Sequence, residues 1–567
     1  MGSINFNNST QTENNDINKK VNFSENKTNV VFILADDMGA WAMRNAGNHD
    51  VITPGLDRLA QEGCKFSNFY CASPVCSPAR ASIMTGMMPS THGVYDWIRS
   101  GSVDKSTLPE DLKTHPYYAS EDKPIQYLAE FETYTEILAQ NGYDCRLSGK
   151  WHLGDSVNVD KGFSKVFTIA RGGCWYHKAD VVQDGKIHID DRYITDLIAE
   201  DALKNIDEQA KEYKESGKPF YLSVHFTAPH TPWDEFDHPE DVWSMYDDCE
   251  FSATPSRDLH QWQLVSSEWP PPIGKENLDI LDRAEKGLEV DSEKLNIAKK
   301  KYADFEEGRK VRLRGYYTAI TAMDRQINRI VDRLEELNVR DNTLIIFMAD
   351  NGMNLGQHGV WGKGNGTFPL NLYESSCKVP CIFSLPTHLN SEKDIDAITS
   401  QLDIFHTLLD ICNCPPATEN PYRPGSSLLG LMQRNTESGS ANLSKSYEES
   451  ILSRPAVVVD EYGPNRMIRL GNDKLVKRYP YGPDELYQLD KDPDEEHNLI
   501  HDPNYQELRY KLENELTDWC NKHMDPKMDG SREAVTGFGQ LSRAGHNAKS
   551  KPAFADQDKV RVNFHID

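Results

Sequence analysis

Short apolar runs that end in polar residues recur along this chain. "NVVFILADDMG" (29–39) is an unbroken hydrophobic stretch that stops at Asp36 and Asp37, and it predicts a buried strand with two acids at its carboxyl end. "TPGLDRLAQEG" predicts a short helix capped by Thr53, opened by Pro54 and stopped by Gly63. In "TYTEILAQNGYDCRLSGKWHLG" a helix ends at Asn141 and Gly142, a strand comes next, and a loop then carries Lys150 and His152. "KPFYLSVHFTAPHTPW" reads as a strand running into a loop that bears His230. Tyr316, Ile320, Met323, Ile327, Ile330 and Leu334 recur at three- and four-residue steps, which predicts a long amphipathic helix. It precedes "TLIIFMADNG", a further apolar strand ending in polar residues, Asp350 and Asn351.

Helices alternating with buried strands predict an α/β sheet covered by helices on both faces. In such sheets ligands bind beyond the carboxyl ends of the strands, where these polar residues would gather. Residues 1–27 read as a disordered tail, 28–440 as one catalytic domain, 441–525 as a smaller C-terminal α+β unit and 526–567 as an arm able to serve homo-oligomer contacts. The stretch from about 234 to 310 is acidic and poorly periodic and reads as an insertion near the mouth of the site, and 434–449 reads as a linker or exposed loop. "RMIRLGNDKLVKRY" and "DELYQLDKDPDEEHNL" predict strands joined by tight turns, with a packing helix after them over 503–523.

Composition narrows the function. No apolar run approaches the roughly 20 residues needed to span a bilayer. A formal charge of -26 over 567 residues disfavours nucleic acid and anionic membranes as partners, so an anionic substrate must meet a locally basic pocket. The first residues, "MGSINFNNSTQTENNDINKK", contain no apolar core of a signal peptide, and Phe6 stands where myristoylation needs Ser or Thr, so the expected compartment is the cytoplasm. Eleven irregularly spaced cysteines then argue against a disulfide framework. The close pairs Cys377/Cys381 and Cys412/Cys414 lack a second pair at zinc-ligand spacing, and Cys381 and Cys412 lie in core-like runs.

One cysteine stands apart. "SPVCSPARASIMTG" (73–86) places Cys76 at a predicted helix start with Arg80 one turn on, a setting that should lower its pKa and make it reactive. The run Cys76-Ser77-Pro78-Ala79-Arg80 resembles the signature of the sulfatase family, in which the cysteine is oxidised to formylglycine. The resemblance continues in order through "ADDMG", "GKWHLG", "APHTPW", "ADNG", "GKGNG", "LYESSCKVP" and "LYQLDKDPDEEHNL", and so spans most of residues 29–500. It implies an alkaline-phosphatase-like fold, a large mixed sheet sandwiched by helices with a smaller C-terminal α+β domain. A buried structural thiol and an ordinary cysteine nucleophile are the other readings of Cys76.

The resemblance implies a hydrated aldehyde at Cys76, one hydroxyl attacking sulfur and the other expelling sulfate, a cycle in which serine would stay sulfated. It implies a maturation enzyme as partner and a small sulfated molecule as substrate. Asp36, Asp37, Asp350 and Asn351, together with the modified Cys76, would hold a metal; their oxygen-only donor set selects Ca²⁺, or Mg²⁺, over zinc. Capping of neighbouring helices is the alternative reading of the strand-end acids. Arg80 would stabilise the modified side chain, with a surface ion pair as its bland alternative. By the resemblance Lys150 and Lys363 bind sulfate oxygens, His152 is a base and His230 serves the leaving oxygen, roles that suit an imidazole of near-neutral pKa. Each is also a residue type often found in purely structural roles. His358, in "GQHG", is as consistent with ordering its loop.

Asp350-Asn351 resembles aryl and carbohydrate sulfatases; phosphatases and phosphonate or phosphodiester hydrolases of the fold usually carry Asp-His there, as choline sulfatases tend to. "YDWIRSG", with Asp96, Trp97 and Arg99, and "GGCWYHKADVV", with Trp175 and His177, lie where relatives build the leaving-group pocket, and Trp233 comes soon after His230. Aromatic faces with charged neighbours suit a sugar or a phenol, and packing is the competing use. A phosphonate monoester or phosphodiester hydrolase, and a silent binder of sulfated ligands, are the rival functions.

Overall fold

A computed structural model describes residues 27–264, 269–416, 420–433, 451–545, 548 and 552–554. The expected tail, the 434–449 linker and the end of the arm lie outside the described residues. Ten strands form the main sheet: β1 (Asn29–Ala35), β2 (Cys64–Phe66), β3 (Asp144–Gly149), β4 (Lys165–Ile169), β5 (Ala179–Gln183), β6 (Lys186–Asp190), β7 (Phe220–His225), β8 (Thr343–Ala349), β9 (Cys381–Ser384) and β10 (Lys393–Ile395). Their order across the sheet is β10-β2-β9-β8-β1-β7-β3-β4-β5-β6. The central run β8, β1, β7, β3 and β4 is parallel, with antiparallel partners toward both edges. All residues of β1, β7 and β8 are buried, which is why these strands read as continuous apolar runs.

Helices cover the two faces. α1 (Pro54–Gln61), α4 (Ile194–Ser216) and α5 (Ser292–Glu336) pack together, as do α2 (Cys76–Thr85), α3 (Tyr134–Gln140) and α6 (Asp403–Ile411). Two helix starts show how sequence fixes geometry. Thr133 and Glu136 form a reciprocal capping box on α3. Thr53 does not cap α1 with its side chain; the N–H groups of Gly55 and Leu56 donate instead to the buried Asp324 of α5, at 2.8 and 2.7 Å.

α5 corrects the sequence reading. It begins at Ser292, capped by the Asp291 carboxylate, so residues 292–310 are helical instead of belonging to an unpatterned insertion. In that first part only Ala298, Phe305 and Arg309 are buried, too sparse a stripe to register as periodicity among so many charges.

A second, antiparallel sheet of β11 (Ala456–Asp460), β12 (Asn465–Leu470), β13 (Asp473–Arg478) and β14 (Glu485–Gln488) carries α7 (Gln506–His523) on one face. Its core is continuous with Ala72, Met88 and Leu402 of the larger unit. The described part of the segment after α7 returns to its own chain beside residues 93–99. No helix of the described residues is long and apolar enough to cross a membrane.

Candidate active site

The parallel register sets Leu34 level with His225, Ala35 with Ala349 and Gly149 with His225. Four neighbouring strands therefore end on one edge. β1 leads into Asp36-Asp37, β8 into Asp350-Asn351, β3 into Lys150 to His152, and β7 into the loop to His230. Asp37 and His152 adopt left-handed backbone angles, φ 64° and 56°, a conformation costing about 1 to 3 kcal/mol for residues with a Cβ. The surroundings impose it. Asp37 donates its N–H to Asp350 Oδ1 at 3.1 Å and receives the Tyr316 hydroxyl on its carbonyl at 2.9 Å. His152 Nε2 lies 3.0 Å from the Ile98 carbonyl, and its ring occupies space that a Cβ on Gly172 would fill, 1.9 Å away.

α2 delivers Cys76 into this edge as its first residue. Cys76 Sγ stands 3.6 Å from Asp37 Oδ1 and 2.8 Å from Lys363 Nζ, and Lys363 also donates to Asp37 at 2.6 Å. Asn351 Nδ2 donates to the same Asp37 oxygen at 2.8 Å, while His230 Nε2 lies 3.5 Å from Oδ2. Lys150 is ion-paired with Asp36. Arg80, one turn into α2, donates its Nε to Asp350 at 2.9 Å and approaches Asp36 at 3.6 Å.

These buried charges set one another. Burial would raise the Asp36 carboxyl, but Lys150 together with His230 and Arg80 holds it well below the usual range. Burial, then the Asp36 charge, pushes Asp350 up. Burial also works against the Lys363 ammonium, yet Asp37 and its neighbours keep it firmly protonated. His152 is held neutral by burial and by Lys150 and Arg80. Cys76 departs from the sequence expectation: burial and the Asp36 and Asp37 charges push its thiol well up instead of down. The helix start and Arg80 were visible in sequence, but the guanidinium is spent on Asp350 and Asp36.

Asp36, Asp37, Asp350 and Cys76 each bring one ligand atom, all within 4.8 Å of one another. Asp36 Oδ1 and Asn351 Oδ1 are buried and accept no hydrogen bond from the described residues. Orphaned acceptors beside three carboxylates fit a hard, oxygen-preferring cation. No other group of three or more such side chains occurs among the described residues, and Cys377, Cys381, Cys412 and Cys414 are free and buried.

The family model described as Sulfatase matches residues 28–414, more than half of the chain. This chain belongs to the sulfatase family. A second model, N-sulphoglucosamine sulphohydrolase, C-terminal, matches residues 356–522. The chain is 25% identical over 546 residues to an N-acetylglucosamine-6-O-sulfatase of Bacteroides thetaiotaomicron, covering 89% of this chain and 88% of that one. It is 26% identical over 506 residues to a choline-sulfatase of Rhizobium meliloti, covering 84% and 83%. Among solved structures, a protein in complex with its substrate D-glucosamine-2-N,6-O-disulfate matches with a TM-score of 0.66 at 21% identity, over 89% of this chain and 100% of that one. The chain is accordingly a sulfuric ester hydrolase of the alkaline phosphatase superfamily.

Around the sulfatase centre the residues expected to bind substrate divide. Trp175 is 61% exposed, and His177 is half-buried with its ring 5.5 Å from that of Tyr193. Trp97 and Arg99 flank Ile98 at the site, but Trp97 Nε1 and Arg99 donate to the Gly537 and Phe538 carbonyls. Asp96 has a buried carboxylate that accepts the N–H groups of Trp97 and Gly539. Trp233 is packed 1% exposed against Trp269 and Tyr316, with its N–H on the Pro229 carbonyl. His358 stacks on Tyr373 at 3.7 Å, as a loop-ordering residue would. Sequence reasoning missed Tyr316, Gly172, Ile98 and Tyr176, whose hydroxyl donates to the His230 carbonyl at 2.8 Å. All four act through backbone or shape, so residue type alone does not announce them.

Proposed function

We propose that this sulfatase hydrolyses the sulfate ester of a small carbohydrate, or of an aryl compound, through a formylglycine made from Cys76 by a maturation enzyme. The observation that carries this reading is the position of Cys76: first in α2, 2.8 Å from Lys363 Nζ and within 4.8 Å of the ligand oxygens of three buried carboxylates. Formylglycine, once formed, would supply a hydrated aldehyde as oxygen nucleophile. Asp36, Asp37, Asp350, Asn351 and residue 76 would hold Ca²⁺ or Mg²⁺, which would offset the charge of the sulfate oxygens.

The chain's own residues supply the rest. Lys363, half-buried, and Lys150, buried, bring two ammonium groups to the anion. Arg80 fixes Asp350 and Asp36 in place. A carbonyl can only accept, so the contact with Ile98 assigns the His152 proton to Nε2. Nδ1, buried and without a hydrogen-bond partner among the described residues, is then the atom able to take a proton. His230, with its side chain 30% exposed, faces the open side and would protonate the departing oxygen. Trp175 offers an exposed aromatic face for a sugar ring. The relative named N-acetylglucosamine-6-O-sulfatase and the neighbour holding a disulfated glucosamine support an amino sugar sulfate first.

The test compares matured enzyme on 4-nitrophenyl sulfate, glucosamine 6-sulfate and a 4-nitrophenyl phosphonate monoester. Sulfate esters should be turned over with the higher kcat/KM. Preference for the phosphonate would replace the reading by a phosphonate hydrolase, and binding of sulfated sugar with no turnover would leave a silent binder.

A further inference from the structure

The segment beyond residue 522 lies outside both family matches, yet its described part reaches the catalytic edge. Gln540, fully buried, brackets Ile98: its N–H donates to the Trp97 carbonyl at 2.7 Å, and its carbonyl accepts the Arg99 N–H at 2.9 Å. The side chain fastens the same loop. Oε1 accepts the Tyr95 N–H at 2.9 Å, and Nε2 donates to the Gly93 and Ser542 carbonyls, each at 3.0 Å. Gly539 donates to Asp96 Oδ2 at 3.1 Å and takes φ 101°, where a Cβ would stand 2.6 Å from that of Arg99.

Ile98, held from both sides, grips the two chemical halves of the site. Its N–H donates to Ser77 Oγ at 3.0 Å, next to Cys76, and its carbonyl holds His152 Nε2 at 3.0 Å. A buried carboxamide is costly unless its donors and acceptor are matched. Here the acceptor and one donor bond are matched to the backbone of this one loop, and the other donor bond to Ser542 of its own segment.

We propose that Gln540 is a positioning residue of the active site, setting the orientation of His152 toward residue 76 through Ile98. It touches no reacting atom, and the role rests on the reading of His152 given above. A residue that only stabilised the segment would leave the imidazole where it is. Misplacing a catalytic group by about 1 Å can cost on the order of 10²-fold in rate.

The test sets Gln540→Ala against Asp529→Ala. Asp529 lies in the same segment as Gln540; its carboxylate contacts Arg466 of β12 at 3.0 Å and accepts from Ser531, and it makes no hydrogen bond to residues 93–99. In histidine-¹⁵N-labelled protein left unmatured, the His152 resonance is identified by its loss in His152→Ala. It should shift in Gln540→Ala and stay in place in Asp529→Ala. In matured protein, kcat on 4-nitrophenyl sulfate should fall about 10- to 100-fold in Gln540→Ala with KM little changed, and hold in Asp529→Ala. Gln540→Glu, which keeps the acceptor and loses both donor bonds, gives the same readouts should the alanine variant not fold. An unmoved His152 resonance, or equal kcat losses in the two variants, overturns the proposal. If matured wild type turns over no sulfate ester, the proposed function fails, while the resonance comparison still decides the positioning role.

Discussion

Lys363 Nζ lies 2.8 Å from Cys76 Sγ and 2.6 Å from Asp37 Oδ1, so one ammonium joins the carboxylate cluster to the first residue of α2. An ammonium fixed where negative charge develops is worth about 10² to 10³ in kcat. Lys363→Met, which keeps the stem and removes the charge, should therefore lower kcat on 4-nitrophenyl sulfate by about 10²- to 10³-fold while the bound cation is retained. Steady-state kinetics and elemental analysis check both halves. Unchanged kcat would remove Lys363 from the machinery.

The carboxylate cluster predicts the metal. Wild-type enzyme should carry Ca²⁺ or Mg²⁺ in stoichiometric amount, and Asp350→Asn should lose the ion and nearly all turnover with the fold intact. Asparagine is the informative substitution. Alanine would strand the buried Arg80 guanidinium, which pairs with Asp350 at 2.9 Å, and stranding such a charge costs about 3 to 5 kcal/mol. Stoichiometric zinc, or active enzyme free of metal, would contradict the assignment.

His230 tests the mechanism. If it protonates the departing oxygen, His230→Ala should slow sugar sulfates about 10²- to 10⁴-fold, the usual worth of general acid catalysis, and slow nitrophenyl sulfate far less, because nitrophenolate leaves unaided. The ratio of kcat/KM on the two substrates is the measurement. Equal losses would make His230 a sulfate-positioning group and move the search for the acid to Lys363.

Much of this centre was legible because its chemistry sits at strand ends. Asp36-Asp37, Lys150, His230 and Asp350-Asn351 each close an apolar run, and a parallel sheet brings such ends together. What sequence could not show is which charges meet. Sequence sets Arg80 beside Cys76, but in the fold its guanidinium pairs with Asp350 and Asp36, and burial with the Asp36 and Asp37 charges pushes the thiol up instead of down. Trp233 stands three positions after His230 in sequence, but its N–H bonds the Pro229 carbonyl and its ring packs on Tyr316 in the core. Gln540 lies 442 positions from Ile98 in a weakly patterned stretch, and only folding brings it there.

His92 links α2 to the loop at 93–99, with Nδ1 accepting the Val94 N–H at 3.1 Å and Nε2 3.0 Å from Ser82 Oγ. Burial pushes its pKa down to about 3. The unfolded chain protonates this imidazole near pH 6.5, so between about 6.5 and 3 the unfolded state binds more protons and stability falls as pH drops. The contribution is fully present above about pH 6.5 and is lost at up to about 1.4 kcal/mol per pH unit below it. His92→Gln removes that titration. Urea unfolding should thus show a wild-type advantage that shrinks as pH is lowered from neutral, and a pH-independent difference would contradict the account.

The central claim concerns one atom. Mass spectrometry of the peptide containing Cys76, from protein produced beside a formylglycine-generating enzyme, should show the thiol sulfur replaced by an aldehyde oxygen, in a fraction that rises in step with specific activity. A wholly unmodified Cys76 peptide in fully active enzyme would contradict it.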